Sequence, residues 1–267
     1  MDSVPDALSA STAVAAAWML AAGVMVWLWR IEEAHANANL VDVGWTYLVG
    51  GLALLFAATG PGWGVRRLLI GAIMGLWSLR LGTHLLRDRL LSHAAEDGRY
   101  RHLRAEWGAQ ASRRFFVFFQ AQALAALLFA TPAFLAARDP HSGLRPLEIA
   151  ALVLWVAGLL GESLADRQLA AFKQRPDTRG QVCMAGLWRY SRHPNYFFEW
   201  LMWVAYALFA WSAPGGAWAL VCPAAMLWLL FKVTGIPATE AQALRSRGDA
   251  YRRYQQHTSV FIPWFPS

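Results

Sequence analysis

Thr12-Ala-Val-Ala-Ala-Ala-Trp-Met-Leu-Ala-Ala-Gly-Val-Met-Val-Trp-Leu-Trp29 carries no charge over its whole length. Wound as an α-helix, such a run rises roughly 27 Å, close to the ~30 Å hydrocarbon thickness of a bilayer. The residues before it include Asp2 and Asp6 rather than a basic start, and the apolar run is longer than that of a cleaved secretory signal. It reads as a retained transmembrane helix.

The rest of the chain repeats the pattern. Apolar segments place spans at about 12–30, 40–58, 66–87, 115–137, 146–168, 197–213 and 217–236. The expected fold is all-α, a polytopic membrane helix bundle of about seven transmembrane helices forming a single membrane domain over residues 1–267. With 57% apolar and only 15% charged residues, a soluble domain is excluded. The links Thr59–Gly64 and Ser212–Ala217 are uncharged and rich in glycine and proline, as tight turns require. No internal repeat is visible.

Of the 24 basic residues, 22 are arginine, which favours bidentate recognition of phosphate or carboxylate. Nineteen fall on one set of connections: Arg30, the stretches Arg87–Arg114 and Arg167–Arg192, and the segment Lys232–Arg253. Arg66, Arg67, Arg138 and Arg145 fall on the other set, and Arg80 lies within a span. The asymmetry predicts an N-out, C-in topology with the basic face in the cytoplasm. Because the basic residues sit between spans, nucleic acid is not an expected partner. Cys183 and Cys222 have no metal-ligand spacing and no disulfide is expected, so no metal is predicted.

Ionisable residues inside spans are costly and mark functional sites. The second span carries Asp42 beside Trp45. The third carries Arg80, His84 and Arg87 on one helix face, the fifth Glu162 and Asp166, and the sixth Asn195 and Glu199. All lie toward the predicted cytoplasmic side, so a shared ligand cavity outweighs a set of helix-fixing salt bridges. The block Gly186-Leu-Trp-Arg-Tyr-Ser-Arg-His-Pro-Asn-Tyr-Phe-Phe-Glu199 runs from a basic loop into the sixth span. Pro194 is suited to open a helix, and a helix N-terminus flanked by Arg179, Arg189, Arg192, His193 and Tyr196 suits phosphate oxygens. Asn195 and Glu199 then face an amide or ribose. The bland reading of the block is an interfacial anchor of Trp, Tyr and Arg.

Glu162-Ser-Leu-Ala-Asp166-Arg-Gln168, the Gly186–Glu199 block, and Tyr251-Arg-Arg-Tyr254 with Phe261-Ile-Pro263 together resemble the steroid 5α-reductase-like superfamily, in particular its bacterial branch. Val41–Trp45, Arg80–His84 and Glu96–Tyr100 resemble that branch too, so the resemblance covers most of the chain and is most specific from Gly161 onward. It implies an NADPH-dependent reductase of an activated C=C bond in a steroid-like or other lipid, in the bacterial inner membrane. The positions matching the family's cofactor site are Asp166, Asn195 and Glu199, with Tyr190, Arg245 and Arg247 matching less closely. The lipid-soluble substrate would arrive from the bilayer, and Asp42, Tyr47 and His84 are the expected polarising or proton-donating groups. Two departures stand out. Phe198 replaces the family's glycine, and the Gln-Glu pair that engages the steroid ketone has no match, Asp42 lying in that region instead.

Two other readings remain open. Arg192–Tyr196 and Glu240–Pro263 also resemble an isoprenylcysteine-type membrane methyltransferase, which would use S-adenosylmethionine. A lipid-binding or transport protein would instead need polar residues through the full membrane depth.

Overall fold

The computed structural model describes residues 9–91, 95–178, 180–233 and 235–266, and among these every regular element is helical. In chain order the helices are α1 (Ala10–His35), α2 (Leu40–Thr59), α3 (Gly64–Leu86), α4 (Gly98–Trp107), α5 (Ala111–Phe129) and α6 (Thr131–Ala136). Then follow α7 (Pro146–Gln174), α8 (Pro194–Ala210), α9 (Val221–Trp228), α10 (Ile236–Arg247) and α11 (Asp249–His257). Six helical segments among the described residues are long and apolar enough to cross a membrane. The expected sixth span is α8, whose 17 residues rise only about 25 Å and fall just short of that set. The protein is a polytopic helical membrane protein.

Several boundaries differ from the sequence expectation for identifiable reasons. The fourth span is not one helix: α5 stops at Phe129 and α6 restarts with Pro132 in its first turn. Proline has no N–H to continue the ladder and its ring collides with the preceding turn. The last span is likewise broken, running from a 3₁₀ turn through α9 into a π-helical turn at Leu229–Val233. α4 lies in what the sequence showed only as a basic loop. It starts at the Asp97 carboxylate, which accepts the Arg99 N–H at 2.9 Å.

The chain divides into two compact units. The first runs to Leu144 and includes Ala210–Trp218; the second comprises Arg145–Phe209 and everything from Ala219. In the first unit α2 packs against α1, α3 and α5 around Trp77, Phe115, Phe119 and Phe129, all fully or almost fully buried. Lipid offers no hydrophobic drive for helices to associate, so contact depends on small residues that let backbones approach. A Cβ on Gly50 would lie 2.3 Å from Ser78, and one on Gly82 would lie 2.7 Å from the Tyr47 ring. At the other end of α3, Arg66 is completely buried. It donates to the carbonyls of Asp139 (3.2 Å), His141 (2.6 Å) and Gly143 (2.8 Å), fastening the segment after α6.

In the second unit α7 begins with Pro146, and the Glu148 carboxylate accepts the Arg145 N–H at 2.7 Å. α7 and α8 run antiparallel. Gly158 meets Met202, Gly161 meets Phe198, and Trp155 donates through Nε1 to the Tyr206 hydroxyl at 2.8 Å. Both cysteines are free and buried.

Candidate functional site

The loop before α8 is fastened to the C-terminal half of α7. Gln168 Oε1 accepts the Leu187 N–H at 2.9 Å, and Trp188 donates through Nε1 to the Ala165 carbonyl at 2.9 Å. Gly186 sits with φ +56° directly over Gln168, where a Cβ would come within 2.2 Å of the amide. Only glycine fits both the left-handed backbone and that clearance. The loop then turns at Ser191, whose Oγ accepts the His193 N–H (3.1 Å) and donates to the Phe261 carbonyl (2.8 Å). Pro194 opens α8 as expected, the His193 carbonyl accepting from Phe197 N at 3.1 Å.

This arrangement brings Asp166 and Asn195 together: the Asn195 amide donates to Asp166 Oδ1 at 3.3 Å, both residues half-buried. One turn deeper on each helix lie Glu162 and Glu199, both buried, with Glu199 accepting from Trp203 Nε1 at 2.8 Å. The Phe198 ring lies over Gly161, where a Cβ would meet it at 2.4 Å. The bulk of Phe198 on α8 is thus accommodated by the missing side chain on α7.

Arg192 and His193 face elsewhere. Arg192 Nε and His193 Nε2 reach Glu240 Oε1 at 2.7 and 3.3 Å, and Arg192 also donates to the carbonyls of Gln255 (3.0 Å) and Thr258 (2.6 Å). Gln255 donates to Glu240 Oε2 at 2.8 Å, and the Tyr254 hydroxyl donates to the carbonyls of Trp188 and Ser191. These contacts clasp the C-terminal segment onto the loop. Burial, with Glu240 nearby, pushes the Tyr251 phenol up to about 12. Burial likewise pushes up Tyr254 and the Cys183 thiol. Tyr196 stacks on His193 at 5.3 Å, and Tyr190 meets the ring of Phe265 at 5.9 Å. Arg189 and Arg245 are exposed, while Arg247 donates to the Gln181 carbonyl at 2.8 Å. Arg179 lies outside the described residues.

The remaining sequence-derived residues belong to the first unit. Asp42 is gripped by the Tyr100 hydroxyl (2.7 Å), Arg89 and Arg99 (3.4 Å). Arg99 and Arg89 also reach Asp97, and Asn39 accepts the Asp97 N–H at 2.9 Å. Burial alone would push the Asp97 carboxyl up, but the Arg99 hydrogen bonds and both guanidiniums bring it below its ordinary value. The Tyr47 hydroxyl pairs with Thr83 Oγ1 at 3.2 Å. His84 and Arg87 are exposed and Arg80 is half-buried on α3.

A model of a family described as "Protein of unknown function (DUF1295)" matches residues 28–258. The chain belongs to that family. Among curated relatives of this DUF1295 protein, an uncharacterised protein of the fission yeast Schizosaccharomyces pombe is 26% identical over 88% of this chain and 75% of its own length. Two proteins named 3-oxo-5-alpha-steroid 4-dehydrogenase 1 are also similar. That of Macaca fascicularis is 38% identical and that of Homo sapiens 36%, each over 66 residues. Those 66 residues are a quarter of this chain and about a quarter of each dehydrogenase. No solved structure matches.

Sequence reasoning reached the Asp166–Asn195 meeting through the i, i+4 polar pairs on two helices. It read Tyr100 only as part of the Glu96–Tyr100 resemblance and gave it no role, and it passed over Gln255; the two act across 58 and 15 residues of chain.

Proposed function

We propose that this DUF1295 protein is a membrane-embedded, NADPH-dependent reductase of an activated C=C bond in a lipid-soluble, steroid-like or other lipid substrate. The carrying observation is the α7–loop–α8 joint, where Asp166 and Asn195 meet beneath a loop pinned by Gln168 and Trp188. It occurs in a chain that shares a quarter of its length with two proteins named 3-oxo-5-alpha-steroid 4-dehydrogenase 1.

The donor set of this joint fits a dinucleotide phosphate. Exposed Arg189 and Arg245 offer guanidiniums for phosphate oxygens, and the start of α8 offers N–H groups at the positive end of a helix. Asp166 and Asn195 supply an acceptor and an amide suited to a carboxamide or ribose hydroxyl, with Glu162 and Glu199 one turn along the same helices and Tyr190 and Tyr196 as further candidates from the loop and the start of α8. Arg192 and His193 act as positioning residues through Glu240, because their donors are engaged inside the protein. Arg247, at the end of α10, and Arg179 are further basic candidates of the proposal. NADPH, when bound, supplies the hydride.

Arg80 and Arg87 enter the proposal as further anion-binding candidates of the first unit. For the proton, Tyr47 is the strongest of the three expected donors. Its hydroxyl meets only another hydroxyl among the described residues, whereas Asp42 has three partners of its own. The basic asymmetry supports an N-out, C-in orientation in a bacterial inner membrane with the cofactor taken from the cytoplasm.

The Arg192–Glu240 pair favours keeping one rival in view, since it joins the two segments that also resemble an isoprenylcysteine-type methyltransferase. Equilibrium titration of the nanodisc-embedded protein with NADPH and with S-adenosylmethionine separates the two. The reductase reading expects micromolar NADPH binding that drops at least tenfold in Asp166→Ala and Asn195→Ala. Binding of S-adenosylmethionine alone would replace it with the methyltransferase.

A further inference from the structure

We infer that the first unit carries a site for the phosphate of an anionic membrane lipid, in a cleft at the membrane rim opposite to the Asp42 cluster. Ala13 of α1, Phe56 and Thr59 of α2, Phe134 of α6 and Arg138 line this one cleft. Asp42 lies in the first turn of α2 and Thr59 is its last residue, so a rise of roughly 26 Å separates the two. That is close to the thickness of the hydrocarbon layer.

Arg138 is the charged member of the lining. Its guanidinium lies 5.4 Å from the centre of the Phe134 ring and meets no acceptor among the described residues. Its neighbours at this rim are already engaged. Arg67 donates to the carbonyls of Ala57 (2.7 Å) and Ala58 (2.6 Å), so the end of α2 is answered without Arg138. Arg66 donates to three carbonyls after α6 and faces Asp139 at 3.8 Å, which takes up the nearest acid in sequence. The Thr59 hydroxyl spends its hydrogen on the Leu55 carbonyl at 2.8 Å. Arg138 therefore keeps its charge and its forked N–H donors for a ligand.

The rest of the wall is apolar. Phe56 and Phe134 meet edge to face at 5.1 Å, and Val14 and Trp18, further along α1 from Ala13, are exposed. A guanidinium over an aromatic floor holds phosphate oxygens at the rim, while the hydrocarbon of the same lipid lies along the helices. A zwitterionic headgroup brings its own cation to its phosphate, so an anionic lipid gains more from Arg138. One such contact is worth about 1 kcal/mol, or roughly fivefold in affinity. The inference is independent of the reductase reading, whose Asp166 and Asn195 belong to the second unit.

The experiment uses the full-length protein in phosphatidylcholine nanodiscs doped with a phosphatidylglycerol that carries a diazirine near the head of one acyl chain. After irradiation, peptide mass spectrometry locates and counts the adducts, with the matched diazirine phosphatidylcholine as comparison. Adducts on the segments holding Ala13, Thr59 and Phe134 should be roughly fivefold more abundant for phosphatidylglycerol. They should fall by about that factor in Arg138→Gln, and also in Ala13→Trp, which keeps the charge and fills the cleft. Excess glycerol 3-phosphate should not displace them. Equal labelling by the two lipids, or labelling unchanged in Arg138→Gln, overturns the inference. A fall in Arg138→Gln with none in Ala13→Trp overturns it too, because charge alone would then draw lipid to this rim without a cleft to hold it. Displacement by glycerol 3-phosphate would make the occupant a soluble anion and not a lipid.

Discussion

Two knots of charge, one in each unit, solve the same problem in different ways. Around Asp42 the protein uses redundancy: Arg89 and Arg99 both serve Asp42 and Asp97, while Arg104 serves Glu32 and Glu96. Around Glu240 it uses a single acid, whose two oxygens answer Arg192, His193, Gln255 and Tyr251. Around Asp42 the Arg89 and Asp42 side chains are 24% and 22% exposed, whereas those of Arg192 and Glu240 are 11% and 15% exposed. A distributed network tolerates losses; a hub with one acid does not.

Breaking the hub should give the largest effect. Glu240→Ala leaves Arg192 buried without its counter-charge, a change expected to cost about 3–5 kcal/mol. Thermal unfolding and proteolysis of the segment after α10 read it, and a loss below 1 kcal/mol would show that the hub is not one. Next comes the α7–α8 contact. Gly161→Ala drives a methyl group into the Phe198 ring and should cost about 1–3 kcal/mol, partly rescued in a Gly161→Ala, Phe198→Gly double variant. Absence of rescue would mean that Phe198 and Gly161 are not paired as described. Asp42→Asn should cost less than Glu240→Ala, about 1–2 kcal/mol, because Arg89 and Arg99 keep Asp97.

The smallest effects distinguish the knots by pH. The folded Asp97 carboxyl lies below its ordinary value. Its contribution is therefore present above about pH 4 and is lost as pH falls through the folded value. Tyr251 is raised to about 12, so its contribution is full below about pH 10 and is lost as pH climbs toward 12. Asp97→Asn should flatten the acid limb of the stability profile and Tyr251→Phe the alkaline limb. Exchange of these two outcomes would contradict the assignment.

How much of this was legible in the sequence depends on the range over which each feature acts. Membrane helices and the opening of α8 at Pro194 follow from runs of apolar residues and from proline chemistry, both local. Asp166 and Asn195 were legible as polar positions four residues from Glu162 and Glu199, spacings that survive in any helix. Phe198 was visible as a bulky residue beside Glu199, but its accommodation by Gly161 depends on how two helices are set against each other. The Glu240 hub joins residues 48 and 47 positions apart, and Arg66 reaches carbonyls more than 70 residues away. No periodicity encodes either. The break at Pro132 was readable and was overridden by the apolar character of the residues around it.

The most direct measurement is the affinity of the nanodisc-embedded wild-type protein for NADPH, set beside that of Asp166→Ala, Asn195→Ala and, as a control from the other unit, Asp42→Asn. A loss of at least tenfold in the first two variants, with the third near wild type, is the predicted result. Equal NADPH affinity in all four proteins, or no binding in any, would contradict a nucleotide site at the joint of α7 and α8.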